Sequence, residues 1–118
     1  MKPSWKFIAM FAISAALSGC DTCSNEVVQT VLSPSGQRKA IVFNRNCGAT
    51  VGFNTQLSII PAHDDLPPDS GNTLVLDGTI PLRMKWQSDS DLTVLWSGSA
   101  KIFEQQRSVG DVSVTYRD

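Results

Sequence analysis

The chain has 118 residues, 42% of them hydrophobic, and 10 Lys/Arg against 11 Asp/Glu give a formal charge of −1. That length is enough for one small domain. A near-neutral balance without a basic stripe excludes nucleic acid as an expected partner.

The first element is an export signal. Lys2 and Lys6 supply a positive start, and residues 7–17 form an apolar run of 11. That matches a signal h-region and falls short of the roughly 20 apolar residues that span a bilayer. Leu17-Ser18-Gly19-Cys20 follows. Small residues at 18 and 19 let extended backbone enter a peptidase cleft, and the Cys20 thiol can accept a diacylglyceryl group as a thioether. The tetrapeptide resembles the lipobox of bacterial lipoproteins. This resemblance implies cleavage after Gly19, lipidation of Cys20 and a bilayer as the first partner. Asp21 resembles an inner-membrane retention signal, which implies the periplasmic face of the inner membrane rather than the outer membrane. Trp5 belongs to the signal, which is expected to be helical.

Removing residues 1–19 takes Lys2 and Lys6 and leaves 99 residues with a formal charge of −3. A domain this small buries a modest core and gains from a staple. With Cys20 lipidated, Cys23 and Cys47 remain, an even number for an oxidising compartment. They are expected to form a disulfide that contributes roughly 3–4 kcal/mol in the chain-entropy model. Two alternatives stand beside it. Cys23, Cys47 and His63 would be an incomplete zinc set without close-paired spacing. Cys47 with His63 would be a nucleophile and base.

Residues 20–26 read as a lipidated tether and 27–118 as the domain. From there the apolar period is mostly two, which predicts strands. Residues 27–32 and 39–44 form a hairpin around Ser33-Pro34-Ser35-Gly36, where proline presets φ and glycine suits the fourth position. Residues 50–60 are a third strand with a bulge near Gly52. Residues 61–72 hold Pro61, Pro67, Pro68 and Gly71 with Asp64, Asp65 and Asp69, which predicts an exposed loop. Residues 73–76 form a short strand closed by Asp77-Gly78. Leu82, Met84 and Trp86 alternate with Arg83 and Lys85, the mark of a half-buried strand. Residues 88–91 turn the chain, 92–96 return it, 97–99 turn it again, and 101–105 and 112–116 complete the series. The expected fold is all-β: seven or eight short antiparallel strands in meander order, as a sandwich or partly open barrel.

The run from Ser33 to Thr50, continuing to Ser58-Ile59-Ile60-Pro61, resembles a family of small uncharacterised bacterial lipoproteins. Their pattern is S-P-D-G-K, then A-V-V-F, then C-G-A-T. Gly71, Asn72 and Leu74 fit a later Gly-Asn step before a strand, and the stretch from Trp86 to Trp96 fits a Trp, an acidic turn and an apolar strand. Ser35 replaces the family's Asp. The resemblance spans most of residues 27–117 and implies a fold and a category without an activity. The Ser-Pro-Ser-Gly turn also resembles single blades of TolB-like propellers, but the chain is too short for a closed propeller.

Among candidate sites, Cys47-Gly48-Ala49-Thr50 reads as a disulfide corner with glycine at positive φ, or as a point of close backbone approach. His63, Asp64, Asp65 and Asp69 read as a solvated loop, with a weak cation site as the alternative. Trp86 and Trp96 read as core or cross-strand partners rather than a ligand platform. Arg83, Lys85 and Lys101 lie on wet faces. A single His, no G-x-S-x-G and no phosphate-binding glycine loop give no enzyme signature, and no cofactor is expected. The expected role is therefore a non-enzymatic module that binds an envelope protein. The alternative is a periplasmic inhibitor or immunity-type lipoprotein, because Ser97-Gly-Ser-Ala-Lys-Ile-Phe103 resembles the Ser-Gly-Ala segment of membrane-bound lysozyme inhibitors.

Overall fold

The structure is a computed structural model and describes residues 23–48 and 52–117. Leu17, Ser18, Gly19, Cys20 and Asp21, with the expected signal helix, lie outside the described residues, as do Ala49 and Thr50. The fold is all-β, as expected. Nine strands run β1 (Ser24–Leu32), β2 (Arg38–Asn46), β3 (Asn54–Pro61), β4 (Leu74–Asp77), β5 (Arg83–Ser88), β6 (Asp91–Leu95), β7 (Ile102–Gln105), β8 (Ser108–Val109) and β9 (Val112–Arg117). They make a five-stranded sheet in the order β1-β2-β3-β4-β7 and a four-stranded sheet in the order β5-β6-β9-β8. Neither sheet closes into a barrel.

The meander expectation holds for β1 to β4 and for the hairpins β5–β6 and β8–β9, but not for the order as a whole. After β4 the chain crosses to the second sheet, returns as β7 to the edge of the first, and crosses again. β6 and β9 then pair in parallel, Leu92 opposite Val114 and Leu95 opposite Arg117. A parallel pair needs a crossover rather than a tight turn, and the excursion through β7 and β8 supplies it. Strand periodicity carries no information about this order, because each strand reads the same whichever neighbour it takes.

The core lies between the sheets. Ala40, Val42, Leu57, Ile59, Leu74 and Leu76 from the larger sheet meet Leu82, Leu92, Val94, Val112 and Val114 from the smaller side. These positions alternate along their strands, as burial of one face requires. Trp86 Nε1 donates to the Val31 carbonyl at 3.0 Å and so ties β5 to β1 across the layers. At the same end the Ser35 amide donates to Asp89 Oδ1 at 2.9 Å, clasping the β1–β2 turn to the β5–β6 turn. That bond holds the Asp89 carboxyl below its ordinary range.

β1 begins at Ser24, so Ser24, Asn25 and Glu26 are strand and not tether. The polar composition of these residues reads as a linker. The Asn25 side chain, however, accepts from Arg45 at 2.7 Å and donates to the Asp69 carbonyl at 2.9 Å, which fastens the strand's start. Gly52 precedes β3, and the register shifts fall instead in β1 between Val27 and Gln29, in the β4–β7 pair and near the end of β5.

Candidate interaction surface

The two sheets present very different outer faces. On the larger sheet Ile41, Phe43, Gln56, Ser58 and Val75 point away from the central core yet are buried. Residues 61–72 cover them. Gln56 Oε1 accepts the Gly71 amide at 2.7 Å, Arg45 donates to the Pro68 carbonyl at 3.1 Å, and Asn25 reaches the carbonyls of Pro67 and Asp69. Asn72 completes the seal. Its side-chain amide accepts from the Ile59 N–H and donates to the Ile59 carbonyl, both at 2.9 Å, so it imitates a strand residue beyond the start of β4. Gly71 is needed beside it, because a Cβ there would lie 2.8 Å from the Leu57 carbonyl oxygen. The loop expected to be merely exposed is therefore a cover with an exposed outer surface. Composition missed this because the fastening uses backbone carbonyls and amides, which every loop possesses.

The outer face of the smaller sheet has no such cover among the described residues. Pairing sets Arg83, Leu95 and Arg117 in one row across β5, β6 and β9, and Lys85, Thr93 and Thr115 in the next. Neighbouring strands are about 4.8 Å apart, so each row spans about 10 Å. Lys85, Gln87, Asp91, Thr93, Leu95, Thr115 and Arg117 line an open depression of about 490 Å³. Two cations, Lys85 and Arg117, and one carboxylate, Asp91, line it, and Arg83 stands in the same row as Arg117. The ion pair among the described residues is elsewhere, Arg38 to Asp111 at 2.6 Å. Arg83 and Lys85 are exposed as expected. Arg117 escaped sequence reading, since only the parallel β6–β9 pairing brings it to their row.

A second hollow of about 290 Å³ runs beside β7. Trp96 and Tyr116 meet edge-on across it, with ring centroids 6.1 Å apart, and Gly98, Ser99, Ala100 and Ile102 complete one wall. Tyr116 Oη donates to the Gln106 carbonyl, and burial pushes the hydroxyl up to about 12 against a smaller opposing influence of Arg107. Trp86 and Trp96 both pack, partly buried, against the core, as expected; they are not opposite one another, since Trp86 faces Leu92 and Trp96 lies beyond the end of β6.

Cys23 and Cys47 form the expected disulfide. Gly48 follows at φ +139°, the expected glycine corner. The bridge leaves neither thiol free, so the Cys47–His63 and Cys23–Cys47–His63 alternatives are overturned. His63, Asp64, Asp65 and Asp69 are exposed, and no group of three metal-ligating side chains exists among the described residues. No described helix is long and apolar enough to cross a membrane.

Compared with family models, curated proteins and solved structures, the chain finds no match in any of the three.

Proposed function

We propose that this chain is a bacterial envelope lipoprotein, anchored through Cys20, whose β domain is a non-enzymatic module that binds an envelope protein through the outer face of the four-stranded sheet. The anchor rests on the positive start, the apolar run of residues 7–17 and Leu17-Ser18-Gly19-Cys20. A disulfide between the two remaining cysteines suits the oxidising side of a membrane. Asp21 favours the inner membrane, facing the periplasm.

The observation that carries the binding reading is the contrast between the faces. One is sealed by its own loop, and the other is left bare with Arg83, Lys85 and Arg117 in adjacent rows. Three exposed cations on and beside a concave face complement an acidic protein surface, and such complementarity steers encounter and selects partners. The test is photo-crosslinking in intact cells. A photoreactive residue at Lys85 is expected to give a discrete protein adduct that disappears in the Arg83→Glu/Arg117→Glu background. A residue placed at Asp65, on the cover, is expected to give none. Equal adducts from both positions would defeat the reading.

The inhibitor reading has one supporting observation. The segment from Ser97 to Phe103 borders the Trp96–Tyr116 hollow, with Ser97, Gly98 and Ser99 exposed. A lysozyme-inhibition assay with the full chain decides it, and unchanged lysozyme activity at saturating protein removes it.

A further inference from the structure

We infer that the end of the five-stranded sheet carrying the Cys23–Cys47 bridge lies against the lipid bilayer, with Phe53, Ile102 and Phe103 at headgroup depth. This rests on the Cys20 anchor proposed above and adds an orientation to it.

The leash between the anchor and the domain is short. Cys23 is three steps along the chain from Cys20, and an extended chain spans at most about 3.6 Å per step, so the reach is about 11 Å. The headgroup layer of one leaflet is itself about 5–8 Å thick. The leash therefore clears the headgroups by only a few ångströms. It cannot lengthen by peeling β1, because the disulfide fixes Cys23 to Cys47 at the end of β2. Whatever sits beside that bridge is held at the membrane surface.

Pairing identifies what sits there. Ser24 lies opposite Asn46, and Arg45 opposite Asn54, which places Phe53 at the same end. The Gly78 amide donates to the Phe53 carbonyl at 3.0 Å, and the Asp77 amide donates to the Lys101 carbonyl at 2.9 Å. The rim thus runs unbroken from the bridge through Phe53 and Gly78 to the start of β7. Ile102 pairs with Leu76 there, and Phe103 is the extra residue of a bulge.

This rim carries three of the six exposed large hydrophobics among the described residues, both exposed phenylalanines included; the other three, Val27, Val28 and Leu32, lie along β1. Phe53 is 50% exposed, Ile102 44% and Phe103 52%. Lys101 Nζ sits 5.3 Å from the Phe103 ring centroid, an aromatic body with a cation beside it. Aromatic rings and lysine stems of this kind settle at the boundary between headgroups and acyl chains. Asp77 on the same rim offsets Lys101, so the contact depends on apolar burial rather than on anionic lipid. Leu32, also exposed, lies at the opposite end of β1 and serves as the contrasting position.

The experiment uses the full chain, made in bacteria, with Phe53→Trp, Phe103→Trp or Leu32→Trp, in phosphatidylcholine vesicles with and without brominated acyl chains. All three positions are about half exposed, so each accommodates the larger ring, and 53 and 103 report independently. Against the background of the unsubstituted chain, added emission at 53 and 103 is expected to shift to the blue and to lose at least half its intensity to bromine. Emission at 32 is expected to stay unquenched. The mass of the purified protein reports acylation of Cys20 separately. An acylated protein whose 53 and 103 signals match that of 32 overturns the orientation and leaves the anchor standing. An unacylated Cys20 overturns both.

Discussion

The outer face of the five-stranded sheet and the outer face of the four-stranded sheet solve the same problem in opposite ways. The first puts Ile41, Phe43 and Val75 outward and must cover them; the second puts Arg83, Lys85, Thr93, Thr115 and Arg117 outward and stays wet. A sheet that is apolar on both faces needs a second layer, and here the loop of residues 62–72 provides it without forming a helix or strand. The cover therefore belongs to the stability of this domain, and the bare face is the one proposed to meet a partner.

The largest effects are expected where the cover meets the sheet. Phe43→Ala removes a fully buried ring and is expected to cost about 3–5 kcal/mol. Gly71→Ala forces a Cβ toward the Leu57 carbonyl and is expected to lift the loop, read as lost hydrogen-exchange protection at Gly71 and Ile59. Chemical denaturation measures both, and a loss below about 1 kcal/mol for either would mean that the loop rests on the sheet without sealing it.

Next comes Gln56→Leu. It keeps the bulk but leaves the buried Gly71 amide without its acceptor, a loss of about 1–3 kcal/mol. The bare face should behave differently. Arg83→Glu and Arg117→Glu are expected to change stability by less than about 0.5 kcal/mol while abolishing the partner adduct. A large stability loss there would erase the distinction between the two faces.

Two titrations follow. Tyr116 is the chain's single tyrosine, so tyrosinate absorbance reports it alone. Its midpoint is expected near 12 in the folded protein and near 10 in urea. Because the folded value is raised, the stabilisation is complete below about 10 and fades as pH climbs from 10 to 12. Asp89 gives the smallest effect and the opposite sign. Its folded value lies below the ordinary carboxylate range, so its contribution is present above that range and is lost as pH falls through the folded value. Asp89→Asn should flatten that acid limb slightly, measured by thermal unfolding between pH 2 and 5.

Much was legible in the residues alone. Alternation of apolar and polar side chains located β5 and β9, since a half-buried pleated ribbon imposes a period of two, while apolar and β-branched runs between turn residues located β1 and β2. The Arg83–Lys85 face was readable for the same reason. The anchor motif is a statement of linear chemistry, and removing Cys20 from the cysteine count leaves Cys23 and Cys47 as the natural pair, which the fold joins. What only tertiary structure decided depends on which strand lies beside which. The parallel β6–β9 pair carries Arg117 to the row of Arg83, 34 positions earlier in the chain. The cover over Phe43 is likewise invisible in composition. Phe43 looks like any strand residue, and the bonds that hold residues 61–72 above it run through Gln56, Asn25 and Arg45 from three different strands. Local periodicity records the face a side chain takes. The partner on that face is set by packing over distances the period does not sense.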